Sequence, residues 1–307
     1  MEKILITGGN GLLGTKLIEK ALGLYQVVSL GREQCHNRYL GDFSFYQLNV
    51  TDEEMVGRCL KSEKPHFIVH TAAKTDVDDC ELQREEAWQI NVEGTAVMAR
   101  AARDAGAKFV HLSSEYVFDG KNGPYSEEDE PNPIGYYGLT KWESEKVVRK
   151  ILSQFVIART TILYGCAPHI RLNFVLWVID ALRRGRSIRV VDDQLGSPTL
   201  ADNLAEIILR MCQRQVEGVY HTVGREVIDR YSFALMIAEK FGLEKKLIQP
   251  VSTAELGQSA PRPLRAGLLV NKGEHDLGMK FFSFEEGLNQ LKKDFIRLEK
   301  NEKGVSS

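Results

Sequence analysis

The chain has 307 residues, 43% hydrophobic and 27% charged, with a formal net charge of -2, a balance that suits a globular protein with room for one large core or two smaller ones. No long run of Lys or Arg occurs, which excludes the basic footprint of a nucleic-acid or anionic-membrane binder, and no apolar stretch approaches the roughly 20 residues of a membrane span. Five scattered cysteines (Cys35, Cys59, Cys80, Cys166 and Cys212) without a Cys-x-x-Cys argue against a disulfide framework or a metal site, and with no signal-peptide core after Met1-Glu2-Lys3 the expected location is cytoplasmic.

Residues 3–7 read as a buried strand, a short β-branched run closed by glycine. Gly8-Gly9-Asn10-Gly11-Leu12-Leu13-Gly14 follows and leads into a helical pattern over 15–22. Glycines in that place permit a tight turn, close approach of the backbone to a pyrophosphate, and close packing of helix on strand. The free N–H groups of the helix start then face the phosphates. Residues 26–30 form the second strand. An NAD site carries Asp or Glu just after it to bind the ribose 2′-OH; Gly31-Arg32 stands there instead. A cation favours the 2′-phosphate of NADP, while Glu33 leaves NAD open.

Residues 45–50 read as the third strand, with Thr51-Asp52 as a helix start. Residues 66–71 are the fourth, and Ala72-Ala73-Lys74 after it are small enough at first to leave room for a ribose and nicotinamide. A helix is expected over 85–105. It contains Asn91, unfavourable in a helix interior, whose amide has a structural use on nearby backbone or a functional one at the site. Residues 108–113 are the fifth strand and run into Ser114-Glu115-Tyr116, placing a hydroxyl where open α/β sheets bind ligands. A polar loop over 121–134 leads to a helix over 136–152. Tyr137 and Lys141, four apart, share its face. A cation beside a phenol favours the phenolate, which makes an acid–base pair from a group that otherwise titrates near ~10. Residues 155–160 are the sixth strand.

Beyond residue 160 the alternation loosens, with helices expected over 173–184, 200–211, 232–241 and 284–295 and strands over 188–191 and 219–222. The pattern predicts an α/β protein with a Rossmann-type, doubly wound parallel sheet and a smaller C-terminal substrate domain. The expected division is 1–162 for cofactor binding, 163–297 mainly for substrate with some segments returning to the first domain, and 298–307 as a frayed tail.

Gly8-x-x-Gly11-x-x-Gly14, Ser114 and Tyr137-x-x-x-Lys141 together resemble the extended short-chain dehydrogenase/reductases. Five longer blocks are similar to the dTDP-4-dehydrorhamnose reductase family: residues 70–81, 113–120, 131–141, 193–199 and 260–263. The likeness spans roughly 3–270. It implies that NADPH reduces the 4-keto group of a nucleotide-linked 6-deoxysugar. Tyr137 would protonate the new alkoxide, Lys141 would lower the pKa of Tyr137 and bond the nicotinamide ribose, and Ser114 would polarise the carbonyl. Gly11, Leu12 and Leu13 match the pyrophosphate turn, Gly31 and Arg32 the adenosine ribose, Asn49 and Val50 the adenine pocket, and Ala72, Ala73 and Lys74 the nicotinamide side. Glu115 matches an acidic residue that touches the sugar.

The chain also departs from the family. Ile162 stands where a Trp often lies against the substrate, and Asn49 replaces a more usual Asp. The segment Leu264-Arg-Ala-Gly-Leu268 resembles instead the regulatory β subunit of methionine adenosyltransferase, which binds NADP and serves another enzyme. Asn173, Gln194 and Arg262 are the candidates for gripping a nucleotide diphosphate, Arg262 foremost because a guanidinium matches phosphate oxygens. Each also has an ordinary use, as a helix cap, a loop residue or an ion pair. A nucleotide sugar is the expected partner, with no nucleic acid and no membrane, and a homodimer is left open. An NADP-holding regulatory subunit and a sugar-nucleotide epimerase or dehydratase are the alternatives to a reductase. No metal is expected.

Overall fold

The computed structural model describes residues 1–305, with side chains through 300. Its first part runs β1 (Lys3–Thr7), α1 (Leu12–Ala21), β2 (Gln26–Gly31), β3 (Ser44–Gln47), α2 (Glu53–Glu63), β4 (Phe67–His70), α3 (Val77–Leu82), α4 (Arg84–Trp88), α5 (Gly94–Ala105), β5 (Lys108–Ser114), α6 (Tyr136–Ile151) and β6 (Phe155–Thr160). It continues with β7 (Leu163–Tyr164), α7 (Phe174–Arg183), β8 (Ile188–Val191), β9 (Leu195–Gly196), β10 (Thr199–Leu200), α8 (Ala201–Arg214), β11 (Gly218–His221), β12 (Ile228–Asp229), α9 (Arg230–Phe241), β13 (Ile248–Val251), α10 (Thr253–Leu256), α11 (Asn271–Leu277) and α12 (Phe284–Val305).

Seven strands form one sheet in the order β11-β6-β5-β4-β1-β2-β3, and every neighbouring pair is parallel. Ile4, Leu5 and Ile6 of β1 have no exposed surface, as expected of a central parallel strand covered on both faces. On one face α1 and α8 pack through Leu17, Ile18, Leu204, Ile207 and Ile208. On the other, α2, α5 and α6 contribute Val56, Leu60, Val97, Met98 and Val148. The chain builds outward from β1 to β3, then restarts beside β1 with β4. That reversal opens a crevice at the carboxyl ends of β1 and β4, the place where such sheets bind ligands. A further core joins α7, α9 and α12 through Val178, Ile179, Phe233, Ile237, Leu288 and Leu291, beside the parallel pair β8–β13.

Several element limits differ from the sequence reading. β3 ends at Gln47, because Asn49 Oδ1 accepts the Thr51 N–H and turns the chain; Asn49 and Val50 therefore lie after the strand. The helix expected over 85–105 is divided into α4, a π-helical turn at Gln89–Glu93, and α5. α9 starts two residues early, at Arg230, because Asp229 caps it by accepting the Ser232 N–H at 2.7 Å. Residues 298–305, expected as a frayed tail, continue α12, and an Arg183–Glu299 ion pair of 2.6 Å ties that stretch to α7; residues 306–307 lie outside the described residues. No helix among the described residues is long and apolar enough to cross a membrane.

Candidate active site

The crevice begins where β1 ends. Gly8 has φ +69°, and a Cβ there would meet Thr71 Oγ1 at 2.8 Å, so only glycine allows the turn and its close approach to the end of β4. The Gly11 N–H donates to Gly8 O at 2.9 Å. Gly11 then opens α1 with no side-chain cap and no acidic residue in the first turn, which leaves the starting N–H groups for an anion. Asn10 reaches sideways: its Nδ2 donates to Gln34 O (2.8 Å) and its Oδ1 accepts from His36 N (3.2 Å), tying the turn to the stretch after β2. Leu12 lies against Gly165, and Leu13 is buried. Past Gly31, Arg32 is 66% exposed and 4.0 Å from Glu33. Val50 is buried beside Gly94.

Across the crevice, Thr7 Oγ1 accepts from the N–H groups of Thr71 and Ala72, each at 3.1 Å, fixing the turn that carries Ala72 and Ala73. Lys74 turns its ammonium away into ion pairs with Asp79 (2.7 Å) and Glu86. Its peptide is held by Asn91, which accepts from Lys74 N (2.8 Å), donates to Lys74 O (3.0 Å) and donates to Thr140 Oγ1 (3.0 Å). Asn91 thus spends its amide on backbone and on α6. A glycine-rich turn, an uncapped helix start and an exposed guanidinium beyond β2 fit a dinucleotide with a 2′-phosphate.

Ser114 ends β5 and pairs with Thr160 across the β5–β6 ladder. Its Oγ accepts the Tyr116 N–H at 3.3 Å. α6 comes close enough to meet it because position 138 is glycine, where any Cβ would strike the Tyr116 carbonyl. Ser114, Tyr137 and Lys141 are all buried, and the Tyr116 ring stands edge-on to Tyr137 at 5.5 Å.

One expectation is corrected here. The phenol of Tyr137 holds its proton more tightly than usual: burial pushes its pKa up, the Ser114 hydroxyl pulls it part of the way back, and Cys80, Tyr116 and Glu115 push it further up. Spacing shows the neighbouring cation but not the loss of solvent. Tyr137 is therefore protonated at neutral pH. Burial brings Lys141 down to about 8, against the opposing pull of Glu145 one turn on. His70 and His111 are buried and kept neutral by loss of solvent and by the Lys141 charge.

Glu115 follows Ser114 and is buried. One oxygen accepts from Thr161 Oγ1 and the other, Oε2, has no partner among the described residues. Burial pushes its pKa up to about 8, with Thr161 and the Arg230 guanidinium pulling the other way. A Cβ on Gly196 would lie 2.8 Å from Ile162 Cδ1 and 3.4 Å from Glu115 Oε2, so Ile162, Gly196 and Glu115 converge. Ile162 has φ +35°, a strained conformation for a β-branched residue. The other proposed substrate residues already have partners. Asn173 caps α7, accepting from Leu176 N and donating to Gly165 O. Gln194 donates to Thr253 Oγ1 and Gln258 Oε1. Arg262 pairs with Asp78 at 2.7 Å.

Arg230 was missed. It opens α9, its guanidinium lies 5.2 Å from the Phe174 ring centre, and with Arg262 it acts on Tyr116. The signal was present as Asp229-Arg230 at a helix start, an acid fitted to cap and a cation beside it. The arrangement offers a buried phenol, a hydroxyl at a strand end, and two guanidiniums that oppose the rise of the Tyr116 pKa.

Comparison with known proteins agrees with this geometry. The family model described as RmlD substrate binding domain matches residues 1–296. Spore coat polysaccharide biosynthesis protein SpsK of Bacillus subtilis is 32% identical, over 94% of this chain and 96% of its own. The crystal structure of dTDP-4-dehydrorhamnose reductase from Bacillus anthracis in complex with NADP superposes with a TM-score of 0.87 at 31% identity, over 95% of this chain and 99% of that one. Methionine adenosyltransferase 2 subunit beta of Danio rerio is 30% identical, over 89% of this chain and 84% of its own.

Proposed function

The chain belongs to the RmlD substrate binding domain family and is an NAD(P)-dependent oxidoreductase of the extended short-chain dehydrogenase/reductase type, and we propose that it reduces the 4-keto group of a nucleotide-linked 6-deoxysugar, with NADPH as reductant. The observation that carries the reading is the joint burial of Ser114, Tyr137 and Lys141 at the carboxyl end of β5, in a sheet whose β1 leads into an uncapped glycine turn.

Gly11, Leu12 and Leu13 would hold the cofactor's pyrophosphate, Arg32 its 2′-phosphate, and Lys141 its nicotinamide ribose. When bound, NADPH supplies the hydride for the ketone carbon. Ser114 donates a hydrogen bond to the substrate carbonyl and stabilises the negative charge that develops on its oxygen. Tyr137, protonated at neutral pH, delivers its proton to that oxygen, completing the alcohol. Lys141 places a positive charge beside the phenolate left behind. Glu115 and Ile162 line the sugar, and Arg230 and Arg262 are the cations suited to a diphosphate. A cytoplasmic setting suits the five free cysteines.

The test is to supply purified protein with NADPH and dTDP-4-dehydrorhamnose and follow NADPH oxidation with analysis of the sugar. Stoichiometric consumption and a 4-hydroxyl product are expected; an epimerase would instead recycle a retained NAD. A second reading, a cofactor-holding regulatory subunit, draws on the likeness to methionine adenosyltransferase 2 subunit beta. Stable co-purification with a methionine adenosyltransferase, combined with no turnover of any 4-keto sugar nucleotide, would favour it.

A further inference from the structure

One helical turn beyond Lys141, α6 carries a carboxylate that the chemistry above does not use. Glu145 has no exposed surface. Its Oε1 accepts from Ser113 Oγ at 2.6 Å and from Arg159 Nε at 2.9 Å, and its Oε2 accepts from Arg159 Nη2 at 2.8 Å. Arg159 is 1% exposed, sits over the Phe118 ring at 5.1 Å, and leaves Nη1 without a partner among the described residues. Apolar residues of similar volume often stabilise a core as well as such a buried pair or better. Stability alone is therefore a weak reason for it.

Its position supplies another. Glu145 follows Lys141 by four residues, so the two share one face of α6, and both are buried there. Ser113 immediately precedes Ser114, and Arg159 immediately precedes Thr160, the ladder partner of Ser114. A single carboxylate thus joins the helix of Tyr137 and Lys141 to the strand of Ser114. We propose that Glu145, fixed by Arg159 and Ser113, is a positioning residue that keeps Lys141 charged and in register with Ser114. Its consequence for turnover rests on the reductase reading, whereas its effect on the charge of Lys141 does not.

The surroundings make the effect specific. Lys141 is acted on by Glu145 from its own helix and by Cys80 from α3, and it acts in turn on His70 of β4 and His111 of β5; Tyr137 stands one turn before it. Both imidazoles are held neutral, the Cys80 thiol is pushed up to about 11, and the Tyr137 phenol is raised. Glu145 is the carboxylate in this set and opposes the burial that draws Lys141 down to about 8. Taking its charge away lowers Lys141 further.

The test follows the lysine Cε resonances of ¹³C-labelled protein through a pH titration. The Lys141 signal is the one absent in Lys141→Met, and its midpoint near 8 is expected to fall by about one pH unit, a tenfold loss of the charged form at fixed pH, in Glu145→Gln. A second variant, Glu145→Gln with Arg159→Met, removes both buried charges and serves if the first does not fold; its midpoint falls in the same sense. An unmoved midpoint in a folded variant overturns the proposal, and lost thermal stability with no shift means that the pair is structural only. If the unaltered chain turns over dTDP-4-dehydrorhamnose, the alkaline limb of its kcat profile moves with the lysine while the rate at low pH is kept. If it does not, the reductase reading fails and the titration still decides the role of Glu145.

Discussion

Tyr137 and Glu115 are both buried acids beside Ser114, and burial raises the pKa of each. For Tyr137 this keeps the phenol protonated at neutral pH, as the proposed donor role requires. Tyr137→Phe keeps the ring and removes the proton, so turnover should drop by about 10²–10⁴-fold while NADPH titration of intrinsic fluorescence is unchanged; undiminished turnover would reject the assignment. For Glu115 the consequence reaches stability. An acid whose pKa is higher folded than unfolded binds more protons in the native state, so stability is full at low pH and declines as pH rises. The window runs from about 4.5, its ordinary value, to about 8. Glu115→Gln should flatten the fall in Tm across that window, and an unchanged slope would show that Glu115 does not take up the proton. Arg32, exposed and outside the core, should matter to the cofactor and not to the fold. Arg32→Ala is expected to leave stability within about 0.5 kcal/mol and to weaken NADPH binding roughly tenfold, about 1.4 kcal/mol, with NADH binding unaffected. Residue identity and spacing made the glycine turn and the Tyr137–Lys141 pair legible. The direction of the Tyr137 shift, the positive φ of Ile162 and the approach of Arg230 were not, because each depends on what tertiary packing brings near.

Elements with a local cause were read closely: β6 and β8 fall where their β-branched runs lie, and α6 ends one residue before its expected limit. The divided helix between α4 and α5 was not legible, since its cause is a long-range contact. Asn91 sits in the π-helical turn and spends its amide on Lys74 and Thr140, 17 and 49 residues away. This bulge links the turn beside the expected nicotinamide to the helix that carries Tyr137, whose carbonyl accepts from Thr140 Oγ1. Asn91→Leu keeps the branched shape and removes its three bonds, leaving the Lys74 N–H unpaired and its carbonyl with only the Cys80 thiol. Urea unfolding should show a loss of about 1–3 kcal/mol, with weakened NADPH binding measured alongside. Full stability with full NADPH affinity would mean that the bulge is held by other contacts.

At the scale of the whole molecule, the second half of the chain completes the first. α8 covers α1, with Leu204, Ile207 and Ile208 sharing one core with Leu13, Leu17 and Ile18. β11 pairs with β6 through residues 218–221 and 156–159, closing an edge that would otherwise offer unpaired backbone groups. Phe281 and Leu277, from the last third, belong to the same core. The parts on either side of residue 162 therefore share one core and one sheet. A fragment of residues 1–162 keeps the glycine turn, Ser114, Tyr137 and Lys141, yet loses the cover of α1 and the partner of β6. It should form aggregates or a loosely packed state, seen as loss of near-UV circular dichroism and early elution in size-exclusion chromatography. The full chain should unfold in one calorimetric transition if the shared core couples its parts. A monodisperse fragment that binds NADPH with the affinity of the full chain would show that α8 and β11 are dispensable, and that the cofactor half folds on its own.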